Sequence, residues 1–177
     1  MSVTAATGFV AAGVHAGVKE DPERLDLALV ATEDGQPVAA AGVFTPNKMT
    51  AAPVQLCQDH LRRSAGHASA VLLNSGNANA ATGEAGHADA EHLSGLVAAE
   101  LGCGLHHVLM CSTGLIGNRL PVEPMAAAIP GLVAARARAG HDRGADVGAS
   151  DRGGLGEARA DPLGAHLGRR RRGREGD

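Results

Sequence analysis

The chain has 177 residues, 44% hydrophobic and 20% charged, which suits one globular domain or part of a larger one and excludes a wholly disordered chain. Two Phe and no Tyr or Trp leave no platform for stacking bases, and no apolar run reaches the roughly 18 residues of a membrane span, so neither nucleic acid nor a membrane is an expected partner. The net charge of −3 hides an uneven split: residues 1–135 hold six Lys+Arg against twelve Asp+Glu, whereas 136–177 hold ten Arg against seven acidic residues.

In chain order, Asp26–Thr32 (DLALVAT) reads as a strand, Glu33-Asp34-Gly35 as a turn and Pro37–Phe44 as the returning strand, together a hairpin. Pro53–Cys57 reads as another short strand and Ser69–Leu73 as a buried one. Thr82 is placed to cap a helix with Glu84 in its first turn. Leu93, Leu96, Val97 and Leu101 then recur at the spacing of a core-facing stripe, and Gly102 ends it. Val108–Ser112 is the next strand, and Pro121 opens a second helix that Pro130-Gly131 interrupts or ends. Strands both paired as a hairpin and set beside helices predict a layered α/β (α+β) arrangement with a mixed sheet. The last 42 residues hold ten of the 25 glycines, and their only large aliphatics are Val147, Leu155, Leu163 and Leu167. Such a segment cannot bury enough apolar surface to offset chain entropy, so 136–177 is expected to be a disordered or out-of-frame tail behind a folded part at 1–135.

The N-terminus lacks the basic flank and apolar segment of a signal peptide. Cys57, Cys103 and Cys111 are odd in number, widely spaced and without a CxxC pair. This predicts reduced thiols in the cytoplasm rather than a disulfide framework or zinc site. His87 and His92 are five apart and His106-His107 adjacent, so no helical metal pair forms and the histidines read as surface or structural. No GxGxxG, Walker or GxSxG pattern is complete. Arg169–Arg172 reads as a solvated run rather than a nucleic-acid site.

Two small-residue loops follow buried strands. Asn74-Ser75-Gly76-Asn77-Ala78-Asn79-Ala80-Ala81-Thr82-Gly83 follows Leu73, and a turn braced by Asn is its plainer reading. Ser112-Thr113-Gly114-Leu115-Ile116-Gly117 ends the next strand. A hydroxyl beside a glycine amide can form an oxyanion hole, but on spacing alone a strand-to-loop turn with a capping Thr is the plainer reading.

Four blocks resemble the ornithine acetyltransferases, the bifunctional glutamate N-acetyltransferases of arginine biosynthesis. They are Gly8-Phe9-Val10-Ala11-Ala12-Gly13 with Ala16-Gly17-Val18-Lys19 and Asp26-Leu27-Ala28-Leu29; Ala41-Gly42-Val43-Phe44-Thr45-Pro46-Asn47 with Ala51-Ala52-Pro53-Val54; the NSGNANA-type loop Asn74–Gly83; and the STGxIG-type loop Ser112–Gly117. Together they span about residues 7–135 in the family's order; any one alone is a weak signal.

The resemblance implies a layered αββα sandwich and acetyl transfer from N-acetylornithine to glutamate, with acetyl-CoA a further donor in some members. It implies a self-cleaving precursor whose C-terminal β chain begins with a threonine nucleophile, two copies of each chain forming a heterotetramer, and no metal or organic cofactor. It also implies that Thr113 and Gly114 form the oxyanion hole by hydroxyl and backbone N–H. The family's Thr-Thr-Asp-Thr and Gly-Ala-Gly-Met segments do not appear, so no nucleophile is assigned in this chain and the chain alone is expected to be inactive. Ala81 stands where many members carry Cys. The alternative is a non-catalytic small-ligand or phosphate-binding α/β domain that uses the Asn74–Gly83 loop.

Overall fold

A computed structural model describes residues 3–136. The tail expected over 136–177 therefore lies, apart from Arg136, outside the described residues. The elements in order are β1 (Phe9–Val14), β2 (Leu27–Thr32), β3 (Val38–Ala39), α1 (Ala52–Arg63), β4 (His67–Ala68), β5 (Ala70–Asn77), α2 (Gly83–Leu101), β6 (Val108–Leu115) and α3 (Val122–Ala134).

The expected mixed sheet is present. Its order is β1-β2-β5-β6, with β1/β2 and β2/β5 antiparallel and β5/β6 parallel. Residues in register share a face of a sheet. Ala12, Leu29, Leu72 and Met110 therefore form one row across all four strands, and each is buried. Helices cover that face: α1 against β6, α2 between α1 and α3, and α3 against β1 and β2. They contribute Leu56, Leu93, Val97, Met125, Ile129 and Leu132 to the same core. The opposite row, Ala11, Val30, Val71 and Leu109, is half-buried except at Ala11, and Cys111 beyond it is exposed. No helix among the described residues is long and apolar enough to cross a membrane.

Four local readings need correction. The strand expected at Pro53–Cys57 is the start of α1. Ala52, Pro53, Leu56 and His60 fall on one buried face at helical spacing, Pro53 sits in the first turn where no N–H is missed, and His60, Arg62 and Arg63 complement the C-terminal dipole. The hairpin expected from Asp26–Phe44 does not form. Both edges of β2 are already taken by β1 and β5, so the returning segment pairs only Val38–Ala39 with His67–Ala68 and leaves Val43 fully exposed. Thr82 occupies the N-cap position of α2, but its hydroxyl donates to Asn79 Oδ1 at 2.8 Å and caps no helix N–H. Pro130 does not end α3. It faces solvent, and burial of Ile129, Leu132 and Val133 on the other side offsets the lost ladder bond.

His60 joins α1 to the sheet. Its Nδ1 donates to the Val108 carbonyl at 2.7 Å, and its ring meets His106 edge-on at 5.1 Å. Burial pushes the imidazole below its ordinary value, while the Val108 bond opposes this; His106 lowers it further, and Asp59 and Glu91 raise it. Below about pH 6.5 the unfolded chain takes a proton that folded His60 resists, so stability falls as pH drops from there toward the depressed folded value. Urea midpoints for the parent should therefore decline between about pH 7.5 and 5.5. His60→Gln retains a donor but does not titrate, so it should decline less; equal declines would assign the pH dependence to other groups.

Candidate functional site

The two small-residue segments, 38 positions apart, lie side by side. What the sequence suggests as loops are in part strand: β5 runs on through Asn74-Ser75-Gly76-Asn77, and β6 through Ser112-Thr113-Gly114-Leu115. The parallel register sets Asn74 opposite Ser112, Ser75 opposite Thr113 and Gly76 opposite Gly114. A bulge follows, where Asn77 faces both Thr113 and Leu115. The residues read as turn formers because they are small and polar, but strand pairing here uses main-chain groups, which Asn, Ser, Thr and Gly supply as apolar residues do.

The close approach is at the glycines. Gly114 has φ +134°, and a Cβ on it would lie 2.5 Å from both the Gly76 carbonyl oxygen and the Asn77 nitrogen. Gly76 has φ +113°, and its Cβ would lie 3.2 Å from the side chains of both Val18 and Lys19. Two backbones thus touch where any other side chain would separate them.

Asparagines fix the chain beyond the bulge. Asn74 Nδ2 donates to the Asn77 carbonyl at 2.8 Å. Asn77 Nδ2 donates to the carbonyls of Asn118 and Arg119, and its Oδ1 accepts from the Asn79 N–H at 2.8 Å. Asn79 Nδ2 reaches the Gly86 carbonyl at 2.8 Å in the first turn of α2. All three asparagines are buried, and each donates its side-chain amide to a backbone carbonyl of the protein. The same loop after β6 is held from α2 by the bidentate pair of Arg119 with Asp89, which raises the already high guanidinium value. Asn74 Oδ1 and Ser112 Oγ are buried without a hydrogen-bond partner, on opposed positions of the two strands.

A third segment completes the site, and no site role for it is read from the sequence. Buried Asp26 accepts the N–H of Ala16 on Oδ1 at 2.6 Å and those of Val18 and Lys19 on Oδ2 at 2.8 Å each. His15 Nδ1 lies 3.4 Å from the same Oδ2. This holds the 16–19 turn against Gly76. A lone acidic residue ahead of a strand gives no spacing signal, and only its place in a family block marked it.

Thr113 is half-buried and Gly114 exposed, at the C-terminal end of the parallel pair. A hydroxyl-bearing residue next to a glycine amide at such an end can supply two donors to one developing negative charge. Cys57 is no rival nucleophile: burial pushes its thiol up, and it donates to the Met110 carbonyl at 3.1 Å. Among the described residues no group of three or more His, Cys, Asp or Glu could hold a metal ion.

Residues 10–149 match the ArgJ family, a span that runs past residue 135. The arginine biosynthesis bifunctional protein ArgJ of Thermobifida fusca is 47% identical over 147 residues, covering 83% of this chain and 37% of that protein. The protein of the same name from Geobacter sulfurreducens is 49% identical over 127 residues, covering 72% and 31%. This chain thus spans about a third of the length of these curated relatives. Among solved structures, ornithine acetyltransferase from Mycobacterium tuberculosis, complexed with ornithine, superposes with a TM-score of 0.74 at 46% identity, covering 82% of this chain and 75% of that one. ArgJ from Bacillus halodurans gives 0.68 at 38% identity, covering 73% and 65%.

The glycine contact makes a direct prediction. Gly114→Ala must displace the Gly76–Asn77 peptide and should lose at least about 2 kcal/mol in chemical denaturation, from positive φ and overpacking together. Gly131→Ala, on the exposed side of α3 where a Cβ meets nothing, should be neutral or gain up to about 1 kcal/mol. Equal effects of the two would mean that the strand ends are not in contact.

Proposed function

The chain belongs to the ArgJ family, and from that membership we propose that it is the N-terminal, oxyanion-stabilising portion of an acetyltransferase of arginine biosynthesis. The acetyl group passes from N-acetylornithine to glutamate, with acetyl-CoA as a further donor. The precursor cleaves itself in the cytoplasm, and the two resulting chains assemble as a heterotetramer. The acetyl-accepting threonine comes from the C-terminal β chain; no residue of this chain is assigned as nucleophile.

The observation that supports this most is the register of Ser75 with Thr113 and Gly76 with Gly114. Attack on the acetyl carbonyl turns its oxygen into an oxyanion. Donors fixed in advance stabilise that charge without reorganising during reaction. The Thr113 hydroxyl and Gly114 N–H are those donors. Gly114 is set by contact with a neighbouring backbone, and Thr113 by the register on either side of it. The phosphate-binding alternative is disfavoured because Asn74, Asn77 and Asn79 already spend their side-chain amides on backbone carbonyls.

The test joins residues 1–135 to the remaining length of a relative's polypeptide, so that cleavage and assembly can occur. Thr113→Val keeps the shape and removes the hydroxyl. It should lower kcat and kcat/KM together by roughly a hundred- to a thousandfold, the worth of one oxyanion donor at about 2.7–4 kcal/mol. Thr113→Ser should lose far less. Rates are normalised to cleaved enzyme, since the same donor can assist cleavage. Near-parental turnover by cleaved Val enzyme would return Thr113 to a structural role. The 177-residue chain alone, given N-acetylornithine and glutamate, should form no N-acetylglutamate beyond background; sustained formation would place a nucleophile within it.

A further inference from the structure

We propose that Asp26 is a positioning residue for the strand-end site, acting through the 16–19 turn and Gly76 on Gly114. The inference rests on the reading of Thr113 and Gly114 as the oxyanion donors.

A carboxyl group with a side chain fully withdrawn from solvent needs hydrogen-bond partners. Asp26 finds them in three main-chain N–H groups of one short turn, Ala16, Val18 and Lys19. That concentration fixes the turn as a unit. Its outer side rests on α3, where a Cβ on Gly17 would meet Pro124 at 3.4 Å. Its inner side rests on Gly76, where a Cβ would lie 3.2 Å from both Val18 and Lys19, closer than ordinary contact. The main chain of Asp26 holds the other wall: its carbonyl accepts the Ser75 N–H at 2.9 Å, one residue before Gly76.

One residue therefore holds β5 by its backbone and the turn above β5 by its side chain. Gly76 passes between these two holds, and its peptide is the surface on which Gly114 seats. Nothing in this chain of contacts requires Asp26 to touch a substrate. If the turn lifts, Gly76 gains freedom, and the Thr113–Gly114 donors lose the backing that fixes their direction.

The experiment uses the full 177-residue chain, labelled with nitrogen-15, and reads amide resonances. Asp26→Asn keeps the shape but removes the charge and one acceptor oxygen. Ala16, Val18 and Lys19 should shift because they lose the carboxylate. The proposal requires that Gly76 and Gly114 also shift or broaden, while Leu93 and Val97 in α2 stay in place. Movement confined to the 16–19 turn would overturn it, leaving Asp26 as a brace for its own turn only. If Asp26→Asn fails to fold, Val18→Ala provides the same test, because it trims the contact on Gly76 and leaves the carboxylate bonds intact. Unmoved Gly76 and Gly114 resonances in that variant would also overturn the proposal.

In the joined, cleaved enzyme, Asp26→Asn should lower kcat by roughly tenfold to a hundredfold with little change in KM, as expected for donors displaced by a fraction of an ångström. The resonances do not depend on activity. Near-parental turnover by Thr113→Val would remove the acetyl-transfer reading and leave the resonance outcome standing. Unmoved glycines would remove Asp26's role and leave the Thr113 result standing.

Discussion

The contact of Gly114 with the Gly76–Asn77 peptide is the constraint on which the described structure turns. At that point two parallel strands come closer than any side chain permits. To keep them there, the chain supplies a bulge at Asn77, buried asparagines that hold the segments beyond it, and an acid-anchored turn that closes over Gly76. The asparagines and the carboxylate do so by pairing main-chain groups of the segments they hold. The helical layer does the more ordinary work of covering one apolar face, and its α2 also holds the site through Asn79 and Asp89.

Much of the scaffold was legible in the sequence, for physical reasons that differ by element. Helix α2 has every signal at once: a small polar residue at its start, an acidic first turn, Leu93 and Val97 on one face and Gly102 at its end. Helix α1 was hidden because PVQLC is short and apolar, and its helical period appears only when His60 is counted as a core residue. The false hairpin arose from local pattern alone. Nothing in Asp26–Phe44 reveals that Phe9–Val14 and Ala70–Asn77 compete for the same two edges of β2, and that competition decides the pairing.

The site was legible in a different way. Spacing alone left both loops as turns, and the roles of Thr113 and Gly114 came from likeness to a family. The structure adds that the two loops are partners. Ser75 opposite Thr113 and Gly76 opposite Gly114 is a relation between residues 38 positions apart, which no local pattern contains. Asp26 could not be found from sequence because its ligands are main-chain amides, which leave no trace in residue type. His60 and Cys57 are similar: each is anchored to a backbone group of β6, at Val108 and Met110.

The parallel pairing of β5 with β6 also fixes when the site can exist. These strands cannot meet until the intervening residues, with α2 among them, have been drawn into a closed loop, whereas a tight antiparallel hairpin closes with only a few residues between its strands. Ordering so distant a pair is slow compared with local structure, so helices and short-range contacts can come and go while the strand ends are still apart. The arrangement around Gly114 thus exists only once that loop has closed. A partly folded chain has the threonine, the glycines and the asparagines, but no place where they meet.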